Sequence, residues 1–338
     1  MKEIITNIHH HSQISGDGIP IFDIAQAGLS EGTDVIITTD RNVRLNGQDQ
    51  YFYRSGKKLL LLAGEELIPP ETPHENHLLV IGAERELFRA VSQKEWIRDA
   101  NLSGAVSILA HPFDPEYPRT DWDISGFTGI EIFNLYSAYK ERKDSFLSEL
   151  YYRAHPETIP VSPDAQAVAK WDTLLSTGLH VAAFAGSDGR EKGFLPYEYC
   201  FRTLNNHLFM EEGLCGDLKT DQRNVLQALK AGRSFIGLDA VSPTEGFRFT
   251  AEGINRTALP GEQLPLGSSI TLKICLPRPA LCRLVHNGKV LKQWEKLERM
   301  PLTVYETGYY RLEAYLPFAQ ELRGWIFSNP IYITRGHE

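Results

Sequence analysis

Hydrophobic runs that break off at ionisable or polar side chains recur through much of the chain. Residues 4–8 lead into His9-His10-His11, 34–39 into Asp40, 59–64 into Glu65-Glu66, 105–110 into His111-Pro112, 129–133 into Asn134 and 180–186 into Ser187-Asp188. One more run, 78–82, begins with its histidine, His77, instead of ending on one. These are seven predicted strands, and the β-branched run at 34–40 is too apolar to be half exposed, as in a parallel sheet covered on both faces. Ile21, Ile24, Ala25 and Leu29 share one helical face, so 21–30 reads as a helix and the chain opens with a β-α-β unit. A single strand running into a polar loop is ordinary; the repetition is not. In parallel α/β barrels the carboxyl ends of the strands gather on one face, where functional side chains collect.

Downstream the pattern changes twice. Between 137 and 178 the chain turns charged and helical, with Lys140-Glu141-Arg142-Lys143-Asp144 and a helix over 165–175, as in a solvated insertion or crossover layer. A helix over 223–230, closed by Ala231-Gly232, precedes a strand over 234–238. Beyond it lie short, mostly alternating strands at 247–250, 270–274, 281–284, 309–315 and 331–333, separated by turn residues such as Asn287-Gly288 and Thr307-Gly308, the pattern of a small β-sandwich. The boundary falls between 239 and 246, dividing the chain into 1–240 and 241–338.

The stretch Asn7-Ile8-His9-His10-His11-Ser12 carries the sharpest chemical signal. At the end of a strand, His9 and His11 share a face and His10 points the other way. Imidazoles so placed suit Zn, Mn or Fe. The turn Ser15-Gly16-Asp17-Gly18 can return a carboxylate to the same point. Three adjacent histidines are equally compatible with an exposed polar patch, and H-x-H alone does not separate the two.

Composition narrows the function further. The 338 residues suffice for two domains, and a formal net charge of -8 without basic clusters argues against nucleic-acid binding. No apolar run is long enough to span a membrane, and the N-terminus lacks a signal-peptide pattern, so a soluble, cytoplasmic protein is expected. Cys200, Cys215, Cys275 and Cys282 have no C-x-x-C spacing and read as reduced thiols.

Asn7-Ile8-His9-His10-His11-Ser12 with Asp17-Gly18, Thr39-Asp40, Gly64-Glu65-Glu66, Asn76-His77-Leu78, His111-Pro112 and Gly186-Ser187-Asp188 together resemble the PHP (polymerase and histidinol phosphatase) superfamily over roughly the first two-thirds of the chain. The tail, with Tyr309-Tyr310-Arg311-Leu312-Glu313 and Trp325-Ile326-Phe327-Ser328-Asn329-Pro330-Ile331-Tyr332, is similar to the β domain of the carbaryl-hydrolase-like branch. The resemblance implies a distorted seven-stranded (β/α) barrel followed by the β-sandwich. It further implies one metal on His9, His11, Glu66 and Asp188, and a second sharing Glu66 and adding His77 and His111; within Gly64-Glu65-Glu66 it is Glu66 that matches the ligand. The family's third metal would take a His or Asp from the turn holding Asp17, and histidines where this chain has Arg41 and Arg190.

Arginine has no lone pair for a metal. Both losses fall on one metal, which implies a centre of two divalent cations, Zn, Mn or Fe. Arg41 and Arg190 are then expected to bind the anionic part of a small-molecule substrate, with pairing to Asp17 as the competing role. Glu66, Arg41, Arg190 and Asp17 form the expected catalytic group, and Asp40 is expected beside the ligands, not among them. The expected reaction is phosphate-ester hydrolysis. Carbamate, ester or amide hydrolysis on the same metals, or a degenerate binding module, are the alternatives; a polymerase-type DNA role is disfavoured by the acidic balance.

Overall fold

The computed structural model describes all residues except 88–91, 143–144, 146, 148–149, 153–154, 156–161, 191–194, 255, 319 and 336–338. Lys143 and Asp144 of the expected charge run therefore lie outside the described residues.

All seven expected strands form: β1 (Lys2–His10), β2 (Val35–Arg41), β4 (Lys57–Leu67), β5 (Leu78–Ile81), β6 (Val106–Leu109), β7 (Gly129–Asn134) and β8 (Ala182–Gly186), with β3 (Gln50–Arg54) as a hairpin arm on β4. Parallel pairs join β1 to β2, β2 to β4, β6 to β7 and β7 to β8. β5 runs the other way, antiparallel to both β4 and β6. Its start therefore lies with its neighbours' ends, which explains why this one run leads with its histidine.

Alternate side chains of all these strands but β7, among them Ile8, Val35, Ile37, Leu60, Leu62, Leu79, Ile81, Val106, Ile108 and Phe184, meet in one buried core, while Ile130, Ile132 and Phe133 of β7 pack in another. A period of two gives a shared core when strands turn the same face inward. Among the described residues no strand ladder joins β8 back to β1. Loop hydrogen bonds do so instead: Ser187 N–H donates to Ile8 O (3.0 Å), Gly189 N–H to His9 O (3.0 Å) and His11 N–H to Gly189 O (2.9 Å). The edge of β8 is covered by two asparagine amides acting as backbone substitutes. Asn206 accepts from Ala185 N–H and donates to Ala185 O, and Asn329 does the same at Ala183. An edge strand left bare would be a template for unwanted pairing.

Helix α1 (Ile21–Glu31) packs on β2 and β4 through Gly28, where a Cβ would overlap Ile36. α2 (Gln93–Leu102), α3 (Leu135–Arg142), α4 (Ala165–Ser176), α5 (Tyr197–Thr203) and α6 (Leu218–Ala231) complete the helices among the described residues. Asp217 caps the start of α6 on Thr220 N–H and Gly232 ends it at φ 66°, a left-handed value that favours glycine.

β9 (Asn205–Met210), absent from the sequence reading, lies antiparallel to β1 and is followed by β10 (Ser234–Gly237). The C-terminal strands are β11 (Arg248–Glu252), β12 (Thr257–Ala258), β13 (Gln263–Leu266), β14 (Ile270–His286), β15 (Lys289–Val304), β16 (Gly308–Phe318), β17 (Glu321–Ser328) and β18 (Ile331–Arg335). The strands expected at 270–274 and 281–284 are one strand, β14; its pairing with β15 skips between Cys275 and Ala280, around Pro277 and Pro279. Because β10 pairs with both β9 and β17, hydrogen bonding is continuous across residue 240. A second core, with Phe209 and Phe235 beside Phe249, Leu272, Leu284, Leu312 and Trp325, spans the same junction. From β16, Arg311 reaches α4, donating to Asp172 at 2.9 and 2.7 Å and to Glu313, with its guanidinium 5.1 Å from the Trp171 ring centre. No helix among the described residues is long and apolar enough to cross a membrane.

Candidate metal centre

The strand ends converge as the repeated endings predict. Three groups each bring one donor atom per residue within 4.8 Å of the others: His9, His11 and Glu66; His9, His111 and Asp188; and Glu66, His77 and His111. The last is the expected second ligand set. The expected first set is divided between the other two groups, with His9 common to both. Every one of these residues is buried.

How β1 presents its histidines differs from simple alternation. His9 has φ 67° and the β1–β2 register shifts across it, so the strand is locally kinked there. His9 and His11 still converge, with ring centroids 5.5 Å apart. His10 turns away onto Phe201 (4.8 Å between ring centres), its Nε2 2.6 Å from Asn7 Oδ1. Burial, then the neighbouring His9 and His11, lowers the His10 pKa to about 3, so it is neutral. His111 (φ 24°) and Asp188 (φ 48°) also carry backbone in the left-handed region. Such conformations cost on the order of 1–3 kcal/mol each and persist where the surroundings impose them.

Glu66 is the hub. Its Oε1 lies 2.9 Å from His77 Nδ1, 3.3 Å from His111 Nε2 and 3.6 Å from His9 Nε2; its Oε2 lies 3.5 Å from His11 Nε2. Glu65, one residue earlier, faces the other way and accepts from Leu87 N–H, and burial pushes its carboxyl up to about 7. Burial opposes ionisation of Glu66 as well, but His111, His77 and His9 hold it well below the usual carboxylate range. Asp188 is likewise held low against its burial by Arg190, His9 and His11.

Among the described residues, His9 Nε2 and Glu66 Oε2 are buried without a hydrogen-bond partner. An acceptor nitrogen and a carboxylate oxygen left so, within a set of four imidazoles and two carboxylates, are the donor atoms a divalent cation takes. The residues present therefore fit such an ion.

Arg41 and Arg190 flank the same cluster. Arg41 donates to Asp17 (2.9 Å) and lies 3.4 Å from Glu66 Oε2, while Arg190 pairs with Asp188 and lies 3.7 Å from Asp17. Asp17 thus sits between the two guanidiniums. Their side chains keep 24 % and 14 % exposure. Asp40 is occupied elsewhere, accepting from Ser12 N–H (2.8 Å), Ser12 Oγ (2.7 Å) and Ser15 Oγ (2.6 Å), which pins the loop carrying His11.

Sequence reasoning passed over Glu131. It is buried in β7, with Oε1 2.8 Å from His9 Nδ1, and its Oε2 accepts from His111 N–H (2.9 Å) and Asn134 Nδ2 (3.1 Å). The available signal was a carboxylate inside an otherwise apolar strand.

A cluster of buried imidazoles and carboxylates with open donor atoms defines a candidate divalent-metal site in a mixed α/β chain with a large sheet. No family model matches the chain, and no curated protein matches it. Among solved structures it is similar to a two-domain protein from Bacteroides vulgatus that contains a predicted PHP-like metal-dependent phosphoesterase: 15% identity, 97% of this chain and 95% of that one covered, TM-score 0.48.

Proposed function

We propose that the protein is a metal-dependent hydrolase of PHP type, acting on phosphate esters. The observation that carries this is Glu66, whose two oxygens face different histidines while Arg41 and Arg190 approach the same cluster from either side of Asp17. In this reading His9, His11, Glu66, His77, His111 and Asp188 hold two divalent cations, Zn, Mn or Fe. Cations bound there would supply Lewis acidity and lower the pKa of water at neutral pH. The chain's own part is to place charge. Arg41 and Arg190 bind the anionic oxygens of a small substrate and steady the charge that develops in the transition state, and Asp17 sets the spacing of the two guanidiniums. Asp40, through Ser12 and Ser15, keeps the His11 loop in place. The seven strands β1, β2 and β4–β8 are proposed to curl as a distorted barrel within residues 1–240, with 241–338 as the appended β domain of a carbaryl-hydrolase-like arrangement.

The test is a panel of aryl phosphates, aryl esters and aryl carbamates offered to metal-reconstituted protein, with metal content measured alongside. Phosphate-ester turnover with two metals per chain is expected. Ester or carbamate turnover without phosphatase activity would overturn the substrate class, and three tightly bound metals would overturn the role given to the arginines.

A further inference from the structure

We infer that Glu131 is a positioning residue for cation binding, one carboxylate that presents both His9 and His111; the inference rests on the metal reading above. Each oxygen has its own task. Oε1 faces His9 Nδ1 at 2.8 Å, so a proton on Nδ1 leaves the Nε2 lone pair directed at Glu66 and Asp188, 3.6 and 3.7 Å away. Oε2 accepts from the backbone N–H of His111, a residue at φ 24°, and from Asn134, whose Oδ1 in turn accepts from Ser137 N–H at the start of α3. A carboxylate partner on the far ring nitrogen fixes the tautomer and orientation of a ligating histidine.

The surrounding backbone is shaped to receive this side chain. The register of β7 against β8 shifts between Glu131 and Phe133, the kind of irregularity that re-aims a side chain. The Glu131 carboxylate lies against Gly186, where an added Cβ would overlap Glu131 Oε1. Glu131 touches neither of the guanidiniums and belongs to none of the three donor groups, so its effect on the centre passes through His9 and His111.

Glu131→Gln separates positioning from packing, because an amide of the same shape has one acceptor oxygen where the carboxylate meets three donors on two oxygens. It either loses the His111 N–H or turns an NH₂ towards His9 Nδ1, which forces the ring proton onto Nε2 and blocks the ligand position. The expected result is a folded protein with native circular dichroism and cobalt or zinc affinity lowered about 10- to 100-fold, read by chelator competition and by an altered cobalt visible spectrum. Wild-type affinity and spectrum in Glu131→Gln would overturn the inference. Should the variant not fold, nitrogen NMR of His9 in the metal-free wild type, at a pH where the ring is neutral, decides: Nδ1–H is expected, and Nε2–H overturns it. A wild-type chain that binds no cobalt, zinc or manganese would defeat the metal reading but leave the His9 tautomer standing as a separate test of Glu131.

Discussion

Two buried histidine clusters sit at different places on the β1–β9 sheet, and they differ in what they leave open. His207 in β9 has Nδ1 3.0 Å from Glu3 Oε1 and Nε2 3.1 Å from Asp239 Oδ2 and 3.0 Å from Thr244 Oγ1. Asp239 is further held by Asn205 and Thr244, and Glu3 by Arg248. Every polar atom of that ring is matched by a neighbour. Around Glu66, by contrast, four imidazoles crowd two carboxylates, His9 Nε2 and Glu66 Oε2 lack hydrogen bonds, and three residues hold left-handed backbone. Burial of histidine with carboxylates is thus no mark of a metal site; unmatched donor atoms that converge are. An open atom alone is also insufficient, since among the described residues His10 Nδ1 is unpartnered too but lies beside Tyr197 and Phe201 and belongs to none of the three donor groups.

Substitutions in the two clusters should therefore fail in opposite ways. The largest effect is expected at Glu66: Glu66→Ala should lower kcat/KM on an aryl phosphate by at least about 10³-fold and reduce bound metal, while the circular dichroism stays native. Retained metal and activity would erase the contrast. His207→Ala should instead destabilise the fold by about 3–5 kcal/mol in urea, because Glu3 and Asp239 lose their shared cation, with metal content per folded chain unchanged. Between the clusters lie the arginines. Arg190→Ala should raise KM for phosphate esters about 10- to 100-fold, the value of a charge-assisted hydrogen bond, and lysine at that position should restore little of it.

The smallest effect is a pH dependence. Burial alone would lower the His207 pKa, but Asp239 and then Glu3 raise it to about 9. A folded pKa above the ordinary 6.5 means that the stabilisation is complete below pH 6.5 and fades as pH rises through 9. Urea titrations of wild type should show stability falling across that window, and His207→Gln should flatten the slope. An unchanged slope would mean the ring does not carry the proton assigned to it.

Much of this was legible beforehand, for physical reasons. Strands buried on both faces announce themselves as apolar runs, and the reversal of β5 shows in His77 preceding its run. Among the strands that escaped, two show why. β9 reads Asn205-Asn206-His207 before its apolar residues, because those side chains are buried yet fully hydrogen bonded, and sequence patterns register polarity and not satisfaction. β15 is charged and largely exposed, held by its pairing with β14, so it carries no inward stripe. Within the site, the ligand candidates were visible as types at strand ends. The kink at His9 and the carboxylate behind it were not, since a left-handed backbone and a buried acceptor depend on residues more than a hundred positions away.

The clasp between Arg311 and Asp172 bears on how the polypeptide can be cut. A fragment stopping at residue 240 would bare the unpaired side of β10, uncover Phe209 and Phe235, and strand Asp172 without its guanidinium. Such a piece is expected to aggregate on its own. Residues 241–338 then complete the sheet and core of the part that carries the Glu66 cluster, and whole protein is expected to melt in one step.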